Sequence, residues 1–329
     1  MEEQDQQQTV SLLKPDELLY HYTDQNGLLG IIGDQAFRAT DIRFLNDTEE
    51  FEHGLRTAIH MAEQAAANTG ENGQKILRYL KANLRFSFSR QPVYSVSLTG
   101  PLKKHELLPD TMDDPGDRLN MWRSYSGPGI GYSIGIPTDP ISPKNVTEYQ
   151  IDINGVDRQE CSYRQQTKED YLTDILNRFI DLVNECIKKS SERVEGGDST
   201  EEAMRNMRSE LNAGFDEILP DLKAQIAACK HEGFWEEREW RLTAVLPSND
   251  QRVFHTSGHF GITPRVNFRL RDSGDLLPIK RIVIGPCPHV AEALESLRGV
   301  LIRKGYQIKL SGESEGVEVI SSKIPYRNW

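Results

Sequence analysis

The sequence predicts an α+β fold in which a mixed, split β-core carries a long helical hairpin insertion. Three observations predict it. Residues 93–98 and 130–136 alternate apolar with polar side chains, the two-residue period of strands with one wet face. From residue 168 to about 230 the pattern is long, charged and helical, with Tyr171, Ile175, Phe179, Leu182 and Ile187 marking an apolar stripe. Beyond it, strand-like runs resume at 241–246, 266–270 and 279–284.

Taken in order, residues 17–22 form a short apolar-aromatic run. Asp24-Gln25-Asn26-Gly27 then turns the chain into a short helix at 28–32, and a strand follows at 36–40. Asp47 stands three residues ahead of Glu50 at the mouth of a helix containing Phe51, Leu55, Ile59 and Ala62, which matches a capping box. A second helix is predicted over 74–84. Residues 119–125 read as a short helix or turn that places Trp122 and Tyr125 at i, i+3, on one side. Gly196-Gly197-Asp198-Ser199 splits the long insertion, about 167–232, into two helices. A helix over 290–304 and two last strand-like runs, 306–310 and 317–320, complete the pattern. The expected organisation is a flexible 1–16 followed by one domain over 17–329.

Composition narrows the function. Charged residues make up 27% and apolar residues 37% of the 329, which is ordinary for a globular chain long enough to bury a pocket. The net charge of −11 argues against a broad phosphate-binding face, so a nucleic acid would be met locally and not through bulk attraction. No basic segment followed by an apolar stretch opens the chain, and no run approaches the roughly 18 apolar residues of a membrane span, so a cytoplasmic protein without a membrane partner is expected. Cys161, Cys186, Cys229 and Cys287 lie far apart with no C-x-x-C pair, which points to reduced, mostly buried thiols and not to zinc or disulfides.

Several segments have side chains suited to chemistry. His21 and Tyr22, consecutive on a strand, project to opposite faces, so one of them faces any central cleft. A neutral imidazole both donates and accepts, as ribose hydroxyls require, although a core histidine bonded to backbone is the plainer reading. Glu237 and Glu239, at i and i+2, project to the same side of an extended edge, where one carboxylate can take a ribose hydroxyl and the other orient a nucleophile. Against this, Glu236, Arg238 and Arg241 beside them also describe a surface charge ladder. Asn46 ends a loop as a ligand candidate, with Asp47 as an N-cap. Arg123 offers a guanidinium for a pyrophosphate, and Trp122 and Tyr125 rings for a base, or else the aromatics pack in the core while Arg123 bonds a carboxylate such as Glu239. Ser95, Ser97 and Ser133 are expected on exposed or cleft-facing strand surfaces.

Other signatures fail on context. The glycine-rich 124–131 stretch has no following Lys-Ser or Lys-Thr and precedes a strand, so it is a turn and not a phosphate loop. His255 and His259 lack the glutamate of H-E-x-x-H, and no G-x-S-x-G elbow occurs. A metal-dependent nuclease would need clustered carboxylates, for which Asp41, Asp47 and Glu50 are weak candidates.

The ordered segments Leu19-Tyr20-His21-Tyr22-Thr23, Phe44-Leu45-Asn46-Asp47, Asn120-Met121-Trp122-Arg123-Ser124-Tyr125, Glu237-Arg238-Glu239-Trp240-Arg241, Ile284-Gly285-Pro286 and Ile324-Pro325-Tyr326-Arg327 resemble the bacterial DUF2971 family over nearly the whole chain. More distantly they resemble the ADP-ribosyltransferase superfamily, whose sites combine separated His-Tyr, serine and Glu-x-Glu elements. That resemblance implies a β-core of ADP-ribosyltransferase-like type and a nucleotide or dinucleotide ligand, NAD, as substrate. The ligand would lie among His21, Tyr22, Thr23, Asn46, Ser97, Trp122, Arg123 and Tyr125. Glu239 would steady the oxocarbenium-like charge as nicotinamide leaves, with Glu237 as its partner and no metal. The implied activity is ADP-ribosyl transfer to an unnamed protein or nucleic-acid acceptor, or NAD glycohydrolysis, in phage defence or a toxin system. Two departures stand out: the helical insertion separates the serine strand from the glutamates, and that strand reads Ser95-Val96-Ser97-Leu98-Thr99. The competing expectation is a non-enzymatic ligand sensor or interaction module of a defence system, which an arginine-glutamate network filling the site would favour.

Overall fold

The computed structural model describes residues 17–45, 48–68, 70–101, 113–127, 129–138, 157–258, 261–270, 275–310 and 312–326. In chain order the elements are β1 (Leu18–Thr23), α1 (Gln25–Asp34), β2 (Phe37–Asp41), α2 (Thr48–Asn68), α3 (Gly70–Arg90), β3 (Val93–Thr99), α4 (Leu119–Tyr125), β4 (Tyr132–Pro137), β5 (Asp157–Glu160), α5 (Gln165–Glu195), α6 (Thr200–Ala228), β6 (Glu239–Val245), β7 (Phe254–Gly258), β8 (Gly261–Phe268), β9 (Arg281–Ile284), α7 (Val290–Arg303) and β10 (Glu318–Ser321). The fold is α+β with a mixed sheet. Two compact units form, one from Met1–Ala36, Leu98–Tyr149 and Arg269–Trp329, the other from Phe37–Ser97 and Gln150–Phe268. The 1–16 segment and the Asp47 cap expected from the sequence lie outside the described residues.

In the first unit the strand order is β10-β9-β4-β1. β1 runs antiparallel to β4, from Leu18↔Pro137 to Thr23↔Tyr132, and β4 runs antiparallel to β9. β9 and β10 are parallel, which requires a crossover, and α7 supplies it. Asp24 is an N-cap and not merely a turn residue: its carboxylate accepts from Gly27 N at 2.7 Å, satisfying an orphan amide of α1. Gln35 ends that helix in the left-handed region (φ 50°), and its side-chain oxygen accepts from Leu277 N at 2.7 Å and the Tyr306 hydroxyl at 2.8 Å. Those two bonds tether the helix end to the C-terminal part of the unit.

The second unit places β2 between β3 and β8, with β7 on the far side of β8, and pairs β6 with both β5 and β3. Its helices α2, α3, α5 and α6 share one apolar core that includes Phe51, Leu55, Leu84, Leu172, Phe179 and Leu222. The predicted insertion is a helical hairpin of 31 and 29 residues. Ser199 caps the second helix, accepting from Glu202 N at 3.2 Å, as the Gly-Gly-Asp-Ser break predicts. The hairpin stands between β5 and β6, which are antiparallel neighbours from Asp157↔Thr243 to Glu160↔Trp240.

Four expectations change. The helix expected over 74–84 spans Gly70–Arg90, with Phe88 continuing the buried face of Leu77, Leu80 and Leu84 at the C-terminal end even though the added residues are weak helix formers. The strands β5 and β7 go unpredicted, since Asp-Arg-Gln-Glu and Phe-His-Thr-Ser-Gly lack an apolar alternation. Residues 306–310 make only an isolated bridge, Ile308↔Val317. Ser95 and Ser133 are buried and do not face a cleft, because their strands are covered on both faces. No helix among the described residues is long and apolar enough to cross a membrane.

Close packing in the second unit depends on Gly54, where a Cβ would sit 2.4 Å from the Ile226 carbonyl oxygen. Gly54→Ala is therefore expected to force α2 and α6 apart and cost about 1–3 kcal/mol in urea unfolding, although alanine is the better helix former. Lys223 on α6 is fully buried and donates to the carbonyls of Ser87 and Gln91 at 3.0 and 2.7 Å. Burial, helped by the nearby Arg43 charge, pushes its amine from the ordinary 10.5 down to about 7. The unfolded chain then binds more protons than the folded one between about 7 and 10.5, so stability rises with pH across that window. Urea midpoints at pH 7 and 9.5 should show the rise in wild type and its loss in Lys223→Met; equal slopes in both would refute the assignment.

Candidate functional site

The site builds up from the junction of α6 with β6. Where the helix ends, Ser162 N bonds the Ala228 carbonyl at 2.9 Å and Lys230 N bonds the Ser162 carbonyl at 3.0 Å. A 3-10 turn over Glu232–Glu237 follows, capped by His231, whose Nδ1 accepts from Gly233 N at 3.1 Å. Arg238 then adopts a left-handed conformation (φ 46°, ψ 49°), and the next residue opens β6. That conformation costs a non-glycine residue about 1–2 kcal/mol, so its surroundings must hold it.

What holds the turn is a charge network. Lys230 Nζ donates to Glu237 Oε2 at 2.6 Å and to Glu239 Oε2 at 2.5 Å. Arg241 grips the same Glu239 carboxylate through Nε at 2.8 Å and Nη2 at 3.1 Å, and its Nη1 donates to the Ala227 carbonyl. Glu239 is only 4% exposed and Lys230 only 2%. Burial opposes ionisation of Glu239, but the Arg241 and Lys230 charges and hydrogen bonds outweigh it and hold the carboxyl well below the usual range. The Tyr163 hydroxyl accepts from Glu239 N at 2.8 Å, and burial, with the Cys161 and Glu239 charges, pushes that phenol upward. Glu239 is thus ionised, immobile and neutralised from two sides.

The outer surface of the same turn is aromatic. Phe234 and Trp235 are 38% and 46% exposed. The Lys230 ammonium lies 5.3 Å from the Phe234 ring centre, and the Arg238 guanidinium lies 4.7 Å from the Trp235 ring centre. The result is a rigid polar base presenting two rings flanked by cations.

The remaining expected site residues fall into groups. Tyr22, Trp122 and Tyr125 meet in one aromatic cluster of the first unit, with the Tyr22 and Trp122 rings edge-on at 4.7 Å. The Tyr22 hydroxyl donates to the Pro115 carbonyl at 2.9 Å and accepts from Arg118 N at 3.0 Å, and burial pushes the phenol up. The Trp122 indole donates to Asp117 at 2.7 Å, so the ring packs in the core. Arg123 is exposed and lies 5.3 Å from the Tyr326 ring centre, not against Glu239, whose cations are Arg241 and Lys230. His21 and Thr23 are half-buried on β1, Ser97 is half-buried on β3 in the other unit, and Asn46 lies outside the described residues.

Two details of the glutamate pair differ from expectation. The carboxylates converge, but through a 3-10 turn and a left-handed residue and not along an extended edge. Arg241 belongs to no surface ladder; it is buried, because i and i+2 on β6 share a face with Glu239. Sequence reasoning missed Lys230 and Tyr163. Lys230 had a signal in its place at the end of the helical insertion, seven residues before Glu237, but nothing in Tyr163 marks it as a backbone acceptor.

The segment that carries this network is also the one with a match to a family model. Residues 121–242 match the model of the DUF2971 family, described as a protein of unknown function. The DUF2971 segment thus runs from the aromatic cluster of α4 through the helical hairpin to Arg241 and Leu242. No curated protein and no solved structure matches the chain.

Removing one member of a buried ion cluster strands the others, and such losses run to about 3–5 kcal/mol. Lys230→Met should lose that much in urea unfolding, with Arg241 left to hold Glu239 alone. A loss below about 1 kcal/mol would place the cluster in the class of solvated surface pairs.

Proposed function

We propose that this chain is a non-enzymatic ligand sensor or interaction module that recognises a nucleotide-class ligand at the Phe234–Trp235 turn. The carrying observation is the neutralisation of Glu239. A carboxylate stabilises an oxocarbenium-like centre by its uncompensated charge in a dry cleft. Here Lys230 and Arg241 already occupy both carboxylate oxygens, so that charge is spent inside the protein. The exposed Phe234 and Trp235 rings suit the face of a base, and the cations behind them stiffen the turn that presents them. The distant resemblance to the ADP-ribosyltransferase superfamily is what suggests a nucleotide as the ligand class.

One observation favours a second reading, NAD-dependent ADP-ribosyl transfer or NAD glycohydrolysis on an ADP-ribosyltransferase-like core. Glu237 and Glu239 converge on one ammonium, the paired arrangement that chemistry uses, and displacement of Lys230 by substrate would free both. Labelled NAD separates the two readings. The sensor reading expects quenching of tryptophan fluorescence by NAD, no nicotinamide release, and roughly tenfold weaker binding in Trp235→Ala, the size of one lost base stack. Nicotinamide release that is abolished in both Glu239→Gln and His21→Ala would overturn it and establish the transferase or glycohydrolase.

A further inference from the structure

We infer that Lys168, His53 and His231 form a phosphate-binding site next to the Phe234–Trp235 turn, an inference that rests on the nucleotide reading above for the rest of the ligand. The argument begins with an unbalanced charge. Lys168, on the first turn of α5, is only 2% exposed; Glu232 acts on its charge, but among the described residues it forms no ion pair with Lys168. Its Nζ contacts His53 Nε2 at 2.8 Å. A buried ammonium without a counter-ion is costly, and the chain as a whole has a net charge of −11, so anions were available to the fold. The buried lysines Lys230 and Lys223 are answered by two carboxylates and by two carbonyls. Lys168 is answered by a base that can itself become a cation.

The hydrogen bonds fix how the imidazoles present themselves. His53 Nε2 accepts from the ammonium, which leaves Nδ1–H as a donor. His231 Nδ1 accepts from Gly233 N, which leaves Nε2–H as a donor. The two rings are 6.1 Å apart, and the His231 ring is 6.4 Å from that of Phe234. Burial, followed by the Lys168, His231 and Arg56 charges, lowers the His53 pKa, as a positive field does, and Glu232 only partly offsets the burial that lowers the Lys168 amine. Arg164 adds a further positive feature: it stands at the N-cap of the 31-residue α5 and makes no side-chain cap bond there. A phosphate would receive one charged and two neutral N–H donors and supply the missing negative charge.

The test uses the full chain and three probes: inorganic phosphate, ADP-ribose and adenosine. Histidine Cε1–H signals are followed by NMR, and binding by tryptophan fluorescence. Phosphate should shift the His53 and His231 signals and compete with ADP-ribose. Lys168→Gln and His231→Ala should each weaken ADP-ribose at least tenfold and leave adenosine unchanged. Because His231 is exposed, His231→Ala decides the matter where Lys168→Gln fails to fold. Absence of any phosphate-induced shift would overturn the site. So would ADP-ribose affinity that survives His231→Ala but falls in Trp235→Ala, an outcome that leaves the nucleotide reading standing. A phosphate shift without quenching by ADP-ribose or adenosine would keep the site and remove the nucleotide reading.

Discussion

One ammonium group organises the second unit's junction. Lys230, at the foot of a 29-residue helix, binds the carboxylate that ends a 3-10 turn and the carboxylate that opens a strand. That contact ties the two ends of the segment together across the left-handed Arg238. Arg241 and Tyr163 complete the arrangement from the strand side, one by pairing with the Glu239 carboxylate and the other by accepting its amide. The network is buried, so its net contribution to stability is small beside the cost of leaving it incomplete. What it contributes is a single geometry for the turn.

The buried lysines of this unit show how differently one residue type can be accommodated. Lys230 remains charged among acids, Lys223 is driven toward neutrality by burial and the Arg43 charge while two carbonyls accept its hydrogen bonds, and Lys168 is paired with an imidazole. The first two arrangements are self-sufficient. The third is not, and it adjoins the exposed rings of Phe234 and Trp235 through His231. The proposed recognition lies at the outer edge of the turn, away from the neutralised carboxylates that the Glu-x-Glu pattern brings to mind.

Much of this was legible in the sequence where a period or a cap carried the information. The helical hairpin, its Gly-Gly-Asp-Ser break and the span of α4 follow from apolar spacing and capping chemistry. The convergence of Glu237 and Glu239 was also readable, although the route was wrong, because a left-handed arginine has no sequence signal. The role of Lys230 left only the signal of its position, since a lysine at a helix end is ordinarily a solvated residue that complements the dipole. The burial of Ser95 and Ser133 was hidden for a related reason. An alternating strand looks half-wet from its own residues, and only the layers packed on both sides make it dry.

The placement of the helical hairpin also bears on how the chain folds. β5 and β6 pair residue by residue, yet 78 residues lie between Glu160 and Glu239, and most of them belong to α5 and α6. Closing a flexible loop of that length would be a slow, entropically taxed step. Because the two helices contact each other through a four-residue connection, they can zip together locally and bring the strand ends within reach before the ladder forms. The insertion thus acts as an internal scaffold for the pairing, and cuts in the Gly196–Ser199 connection would slow assembly of the strands that carry Glu239 and Arg241.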